Sequence, residues 1–334
     1  MPSSESPTVL VVLLNWNNAP ETEAAVQSLL GMDYAAFRIL IVDNLSSDDS
    51  FTRLQPLAAS DPRIELLQSG ANLGYTGGCN LGFRHALQSG VPYIWLLNSD
   101  AVTAPDTLSS LVALAESDPR IGLATPLIAA LDPPHQLTFA GGILDLPSGT
   151  YNETNDLEVA RQWAQDFPES GLVIGTAMLV RTEMLRQIGL FDESLFMYFE
   201  DVDLSARSLK AAWRNVVDSA STVFHPEKNR DKDPLGMRPH YWYYLARNES
   251  RFWRKHLSPS RSLRLSWWSF NSFLRHRNRL LAARPDSAHA ILAGLWHGWL
   301  GRSGPFSTTF RMPALPALAV GLYARRAALQ PKLR

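Results

Sequence analysis

Four short apolar runs mark the first hundred positions, and three of them close on Asn or Asp. Thr8–Leu14 (TVLVVLL) is an unbroken stretch of β-branched residues and leucine, the composition of a parallel strand covered on both faces. Arg38–Val42 ends at Asp43-Asn44, Ile64–Gln68 is a shorter third run, and Tyr93–Leu97 ends at Asn98-Ser99-Asp100. The intervening spacing predicts helices over Glu21–Leu30 (closed by Gly31), from near Asp48, from the glycine-rich Gly70–Asn80 (GANLGYTGGCN) through Gln88, and over Pro105–Glu116. Strand and helix in strict alternation imply a doubly wound, mostly parallel α/β sheet. Ligands of such sheets bind beyond the carboxyl ends of the strands. Asn15, Asn17, Asp43, Asn98, Ser99 and Asp100 fall there, where a nucleotide site needs polar groups.

The pattern changes between Gly189 and His225 (GLFDESLFMYFEDVDLSARSLKAAWRNVVDSASTVFH). Asp192, Glu193, Glu200, Asp201 and Asp203 lie within twelve residues, with no Lys or Arg among them and Phe191, Leu195, Phe196, Met197, Tyr198 and Phe199 between them. Acids set among large apolar residues cost desolvation and mutual repulsion unless a metal, a proton or a substrate hydroxyl compensates. The run therefore points to a catalytic site. A structural account competes with it: acids opening a helix over Glu200–Ala212 are favoured by the helix dipole. His225 closes a strand-like STVFH.

Charge divides the chain. The 334 residues carry a net −1, yet from Arg251 onward there are fifteen Lys and Arg against one acid, Asp286. Residues 1–250 hold the opposite imbalance, sixteen basic against thirty-one acidic. Trp253, Trp267, Trp268, Trp296 and Trp299 also fall in the basic part, where HRNRLL, LAGLWHGWLGR and YARRAAL mix basic residues with Trp and Leu as interfacial helices do. The apolar run Met312–Ala324 is interrupted by Pro313 and Pro316 and is too short to span a bilayer. An anionic membrane surface is the expected partner of this region; no nucleic-acid motif accompanies it, and the rest of the chain is acidic. The single Cys79 excludes an internal disulfide and, lacking a basic neighbour, reads as helix packing. Residues 1–8 lack a signal-peptide pattern, so the expected location is cytoplasmic, peripheral on the inner face of the plasma membrane.

Three motifs carry a family resemblance in order: VVLLNWNNAPETEAAVQSLL with ILIVDNLSSDDS, NLGYTGGCNLGFRHAL with YIWLLNSDA, and GTAMLVRTEMLRQIGLFDESLFMYFEDVDLSARSLKAAWRNVV with Phe224-His225. Together they resemble glycosyltransferase family 2, the inverting GT-A enzymes, and within it a rhamnosyltransferase-like bacterial branch. The likeness spans residues 8 to about 230, and YWYYLARNESRFWRKH extends it to about 256. It implies a GT-A catalytic domain over 1–235, with nucleotide-sugar binding in about 8–126 and the acceptor and catalytic part in about 127–235. Residues 236–334 would form a helical, basic and aromatic extension associated with membrane or acceptor.

The residues bear out the chemistry the resemblance implies. Asp43 at a strand end suits a pyrimidine N–H or a ribose hydroxyl, or else simply begins a turn. Gly74, Gly77 and Gly78 would let the backbone approach a diphosphate at a helix N-terminus; tight-turn glycines are the alternative. By resemblance, Asn72, Gly77 and Asn80 contact the nucleotide. Asn98-Ser99-Asp100 stands at the family's Asp-any-Asp metal motif, with Asn98 a departure that offers a neutral carbonyl instead of a carboxylate. By the same resemblance His225 completes a site for Mg²⁺ or Mn²⁺ with Asp100. Asp201 is the expected general base for an acceptor hydroxyl, since direct displacement at the anomeric carbon needs one proton acceptor. Glu200 would orient the acceptor; Asp192 and Asp203 are less specific acids.

The expected activity is transfer of L-rhamnose from dTDP-rhamnose to a glycan or lipid-linked acceptor in cell-surface polysaccharide synthesis, with a UDP-hexose or UDP-galactofuranose donor as the alternative. A nucleotidyltransferase would need an Arg- or Lys-rich phosphate signature near the first strand, and Val9–Glu21 has neither residue. A non-catalytic glycan-binding subunit is opposed by the intact Asp100, Asp201 and His225.

Overall fold

In the computed structural model, residues 6–226, 237–310 and 313 are described. The run YARRAAL and most of Met312–Ala324 lie outside them. The chain divides into two compact units: Met1–Glu193 with Glu200–Glu227, and Ser194–Phe199 with Lys228–Arg334. Assignment of the six residues 194–199 to the second unit was not legible in the sequence.

The first unit is built on the predicted alternation. It runs β1 (Val9–Asn15), α1 (Ala19–Leu30), β2 (Phe37–Asp43), α2 (Ser50–Ser60), β3 (Ile64–Gln68), α3 (Gly74–Ser89), β4 (Tyr93–Asn98), β5 (Val102–Thr103) and α4 (Thr107–Ser117). It continues through β6 (Ile121–Ala130), β7 (Leu137–Phe139), β8 (Gly141–Asp145), β9 (Thr150–Thr154), α5 (Leu157–Asp166), β10 (Ala177–Arg181), α6 (Thr182–Ile188), α7 (Glu200–Lys210) and β11 (Arg214–His225). The main sheet has the order β3-β2-β1-β4-β10-β6-β11-β5, with β7 paired to β6, and β8-β9 form a separate ribbon.

The first four strands pair in parallel, with Asn15 opposite Asp43 and Leu14 opposite Asn98, so their polar ends are brought level. Beyond them the sheet is mixed: β10 lies antiparallel to both β4 and β6, and β11 is parallel to β6 and antiparallel to β5. The continuous apolar runs are explained by burial on both faces. Val9, Val11, Leu13, Ile39, Ile41 and Trp95 enter one core; Leu10, Val12, Leu40, Val42, Ile94 and Leu96 enter the other.

The glycines of the second motif act differently from the expectation. Helix α3 already begins at Gly74, whose φ of 72° suits a residue without Cβ. Gly77 and Gly78 lie inside the helix and are buried. A Cβ on Gly78 would sit 2.4 Å from Leu14 Cδ1, and one on Gly82 2.4 Å from Val12 Cγ1. These two glycines let the helix lie close on β1, and a Cβ on Gly77 would meet the Leu73 side chain of the same helix at 2.7 Å. Close packing by itself requires a residue without Cβ at Gly77, Gly78 and Gly82.

Two local predictions shift. Helix α7 stops at Lys210, not Ala212, because Ala212 takes φ 62° in the turn that leads into β11. STVFH is the end of a twelve-residue strand with a register shift between Asp218 and Thr222.

The second unit contains α8 (Pro239–His256), α9 (Pro259–Leu280) and α10 (Pro285–Trp299), each with proline in its first turn, where a missing N–H is harmless. Trp242, Ala246, Phe273, Leu280, Ala288 and Ile291 form one core cluster. A Cβ on Gly294 would lie 2.3 Å from the Tyr243 carbonyl, so α10 approaches the α8 backbone closely there. The aromatic residues of YWYYLARNESRFW are therefore mostly core: Trp242, Tyr243, Tyr244, Phe252 and Trp253 are buried. Among the described residues no helix is long and apolar enough to cross a membrane.

Candidate active site

The polar residues at the ends of β1 and β2 form one hydrogen-bonded group. Asn15 Nδ2 donates to Asp43 Oδ2 (2.9 Å) and to Ser46 Oγ (3.1 Å), while its Oδ1 accepts from Thr22 Oγ1 (2.9 Å). Asp43 also accepts from Ser46 Oγ (2.6 Å), Ser46 N (3.1 Å) and Gln68 Nε2 (3.2 Å). Asp43 is fully buried. In this structure its carboxylate organises the turn after β2, and a nucleoside contact would have to replace one of these internal donors. Asn17, at φ 54°, ties the β1 loop to the β2 loop, donating from its backbone N to Ser46 Oγ (2.9 Å) and accepting from Ser47 N at its Oδ1 (2.7 Å).

The start of α3 is held by the second residue of the Asp43-Asn44 pair. Asn44 is buried; its amide donates to the Gly74 carbonyl (3.1 Å) and its Oδ1 accepts from Leu73 N (3.0 Å). Asn72 Oδ1 accepts from Gly74 N (3.0 Å), an Asx turn that leaves its side chain part of the helix entry. Asn80 is also buried, with Nδ2 donating to the Phe191 carbonyl (3.0 Å) and Glu193 Oε1 (2.9 Å), and Oδ1 accepting from Phe191 N (3.0 Å). Its amide fastens the 191–193 segment to α3. All three of these hydrogen bonds lie within the protein.

The catalytic candidates meet through Tyr75. His225 Nε2 lies 2.9 Å from Asp100 Oδ1 and 3.2 Å from Asn98 Nδ2. Tyr75 Oη lies 3.1 Å from both Asn98 Oδ1 and the Gly175 carbonyl, and its one proton serves one of them at a time. Gly175 N in turn donates to Asp201 Oδ2 (3.0 Å), and Asp201 Oδ1 accepts from Val202 N (2.8 Å). A series of polar contacts thus links Asp100 and His225 through Asn98, Tyr75 and Gly175 to Asp201, with His225 Nε2 and the Tyr75 hydroxyl each serving one of two neighbours at a time. Residues up to 127 positions apart are joined in this way. Neither Tyr75 nor Gly175 was singled out by the sequence reading, although an aromatic residue inside a glycine-rich segment was a signal. Burial, with Cys79 and the carboxylates of Glu200 and Asp201 adding to it, pushes the Tyr75 hydroxyl well above its ordinary value. Burial also pushes the Cys79 thiol up, with Glu200 contributing, which keeps it a neutral packing group as expected.

Glu200 and Asp203 are buried in the first turn of α7. Asp203 pairs with Arg207 (2.8 Å), whose guanidinium also reaches the carbonyls of Ile188, Gly189 and Leu190. Asp203 is accordingly a structural acid. Ser99 lies partly exposed in the turn between Asn98 and Asp100. No group of three or more His, Cys, Asp or Glu placed to hold a metal occurs among the described residues.

The profile described as "Glycosyl transferase family 2" matches residues 10–189, more than half of the chain. The chain belongs to glycosyltransferase family 2. Among curated relatives, this family 2 glycosyltransferase is 30% identical over 297 residues to the N-acetylglucosaminyl-diphospho-decaprenol L-rhamnosyltransferase of Mycobacterium tuberculosis, covering 81% of the chain and 92% of the relative. It is 27% identical over 207 residues to the galactofuranosyltransferase GlfT1 of the same species, covering 61% and 65%. Among solved structures, a mannosyltransferase from Pyrobaculum calidifontis, in complex with GDP-mannose and Mn²⁺, aligns at a TM-score of 0.56 and 17% identity, covering 96% of this chain and 81% of that one. GalNAc-T7, solved with UDP, GalNAc and Mn²⁺, aligns at 0.56 and 14%, covering 81% and 58%. The fold is that of the GT-A glycosyltransferases, and the enzyme is a glycosyltransferase.

Proposed function

We propose that this glycosyltransferase transfers L-rhamnose from dTDP-rhamnose to a lipid-linked diphosphate sugar, with inversion at the anomeric carbon, in the synthesis of a bacterial surface polysaccharide. The observation that supports the reading is the series of polar contacts that brings Asp100, His225 and Asp201 into one group around Tyr75. The rhamnosyltransferase relative supports the donor sugar and the acceptor class.

One carboxylate and one imidazole side by side, with the Asn98 amide adjacent, fit a hard divalent cation that takes its remaining ligands from substrate oxygens and water. Asp100 and His225 would hold it. When bound, such a cation neutralises charge on the departing nucleoside diphosphate. Asp201 is assigned the proton acceptor. The Gly175 and Val202 N–H groups each donate to one of its oxygens, fixing the carboxylate's orientation. Asn15, Asn17, Asp43, Asn72 and Ser99 are proposed to shape the nucleotide-sugar side of the site, and Glu200 to orient the acceptor.

The galactofuranosyltransferase relatives support a second donor, UDP-galactofuranose. The deciding experiment incubates the full chain and Mn²⁺ with N-acetylglucosaminyl-diphospho-decaprenol and either dTDP-rhamnose or UDP-galactofuranose. A rhamnosylated lipid with release of dTDP is expected; galactofuranosylation alone would replace the donor assignment, and no transfer from either would remove both.

Attachment to the cytoplasmic face of the membrane is part of the same proposal, and α9 supports it. Beyond its first two residues, its exposed residues are Arg261, Leu263, Arg264, Trp267, Trp268, Arg275 and Arg279. At about 100° per residue these fall within an arc of roughly 160°. The helix contains no acid. Leu263, Trp267 and Trp268 are 74%, 56% and 62% exposed, and Trp299 on α10 is 68% exposed. Trp296, also expected at the interface, instead packs partly buried beside Leu274 and Leu292. Co-sedimentation with vesicles containing phosphatidylglycerol should be strong at low salt and only partly reversed by 0.5 M salt, an ionic strength of about that size reducing the screening length well below 8 Å. The pair Trp267→Ala and Trp268→Ala should abolish the salt-resistant part. Indifference of the full chain to these vesicles at low salt would end the membrane assignment.

A further inference from the structure

The run Ser194–Phe199 connects the acids of the third motif to one another, and its backbone is unusual. Phe196, Tyr198 and Phe199 take φ of 63°, 67° and 72°. Three large side chains in the left-handed region, all within four residues, are unfavourable in an isolated chain, because Cβ is forced against the backbone. Such a conformation persists only where its surroundings over-determine it.

Helix α8 supplies those surroundings. Asn248, fully buried, directs Nδ2 at three carbonyls of the run, those of Leu195 (3.0 Å), Met197 (2.8 Å) and Tyr198 (2.9 Å). Its Oδ1 accepts from Arg247 Nε (2.8 Å), which fixes the amide so that its N–H groups face the run. Arg247, also fully buried, donates to the Leu195 carbonyl and, from Nη1, to the Gly304 carbonyl (2.7 Å). Arg251 Nη2 donates to Ser194 Oγ (2.8 Å). Aromatic contacts complete the hold: Phe196 stacks on Tyr244 at 5.5 Å, Tyr198 meets Tyr241 edge-on at 5.3 Å, and Phe199 meets Phe252 at 5.8 Å. Tyr241, Tyr244, Asn248, Arg251 and Phe252 recur at helical spacings of three and four, so one face of α8 makes all these contacts.

We propose that Asn248 is a positioning residue for the transfer reaction, assisted by Arg247 and Arg251. Its amide holds the carbonyls of Leu195, Met197 and Tyr198 in the run whose left-handed residues, Phe196, Tyr198 and Phe199, lead directly into α7, where Glu200 and Asp201 are the first two residues. An amide is suited to this because it presents two N–H donors to a cluster of carbonyl oxygens. An aspartate of the same size would present only acceptors. The nucleotide side of the site is built from the ends of β1, β2 and β4, without Asn248. Loss of the amide is therefore expected to affect turnover far more than donor affinity.

The inference rests on Asp201 as the proton acceptor, so Asp201→Asn is measured beside the test variants. The full chain is assayed with Mn²⁺, the decaprenyl acceptor and whichever of dTDP-rhamnose and UDP-galactofuranose the native protein uses. Affinity for the matching nucleoside diphosphate is taken by calorimetry. Asn248→Ala is expected to lower kcat roughly 10²-fold, the usual consequence of about 1 Å of misplacement, with donor KM and diphosphate affinity nearly unchanged. Asn248→Asp should be no better than Asn248→Ala, whereas a merely space-filling side chain would be rescued by it. Should neither variant fold, Arg251→Leu decides: kcat reduced roughly threefold to tenfold at unchanged donor KM supports the assignment. Native kcat in a folded Asn248→Ala protein, native kcat in Arg251→Leu when the others do not fold, or a loss of diphosphate affinity equal to the loss of kcat overturns it. If Asp201→Asn is inactive while Asn248→Ala is native, only the positioning role fails; if Asp201→Asn turns over normally, the base assignment fails first.

Discussion

Asp201→Asn lowers kcat by roughly 10²–10⁴-fold, the range for loss of a general base, with nucleotide-sugar affinity nearly intact. A sugar hydroxyl is a poor nucleophile at neutral pH, and the amide retains the size of the carboxylate while removing its basicity. The geometry adds a second consequence. In the native chain both Asp201 oxygens accept from backbone N–H groups, Gly175 on Oδ2 and Val202 on Oδ1. An asparagine has one oxygen, so its NH₂ must face one of these donors, and a stability loss of about 1 kcal/mol accompanies the substitution. Turnover is therefore read together with a thermal melt. A large fall in kcat with a small fall in Tm is the expected pattern; near-native turnover would remove Asp201 from the mechanism.

The second large effect concerns the metal. Transfer should cease in excess EDTA and return with Mn²⁺ or Mg²⁺, and Asp100→Ala should remove the carboxylate that lies 2.9 Å from His225. Because Asn98 supplies only a neutral amide, Asp100 is the sole carboxylate in the Asn98-Ser99-Asp100 turn. No second acid in that turn compensates for its loss. A nucleoside diphosphate at 100 times its dissociation constant stabilises a protein by about 2.7 kcal/mol, a readily measured thermal shift. For the native chain that shift should be larger with Mn²⁺ than without; for Asp100→Ala the two should coincide. Full activity in excess chelator would end the metal-dependent reading.

Motifs do not record which partners a polar residue meets. Gly77 and Gly78 stood out as residues that admit a ligand, yet the Leu73 and Leu14 side chains occupy the space where their Cβ atoms would be. Asn80 and Asp43 stood out as polar groups awaiting a nucleotide, and both are buried with their hydrogen bonds met inside the protein. A polar residue at a strand end has the same appearance whether it faces a ligand or fastens a neighbouring loop. The difference lies in its partners, which for Asn80 are more than 100 residues away. Tyr75 went unnoticed for the converse reason: its role consists in touching Asn98 and Gly175, and no local pattern records that.

What the amino-acid sequence determined by itself was the alternation of elements and the level at which chemistry is placed. Unbroken apolar runs need cover on both faces, and this selects a parallel sheet wrapped by helices; equal spacing then brings the polar strand ends to one edge. The basic character of the last helices was equally plain, since charge is a property of composition. Tertiary structure alone separated Asp201 from Asp203: Asp201 accepts from backbone N–H groups, while Asp203, two residues on, is held by Arg207. It also assigned Ser194–Phe199 to the helical unit and set its left-handed backbone against Asn248. Such a conformation is unfavourable locally, so no local preference announces it. It exists only because donors some fifty residues further along the chain are folded against it.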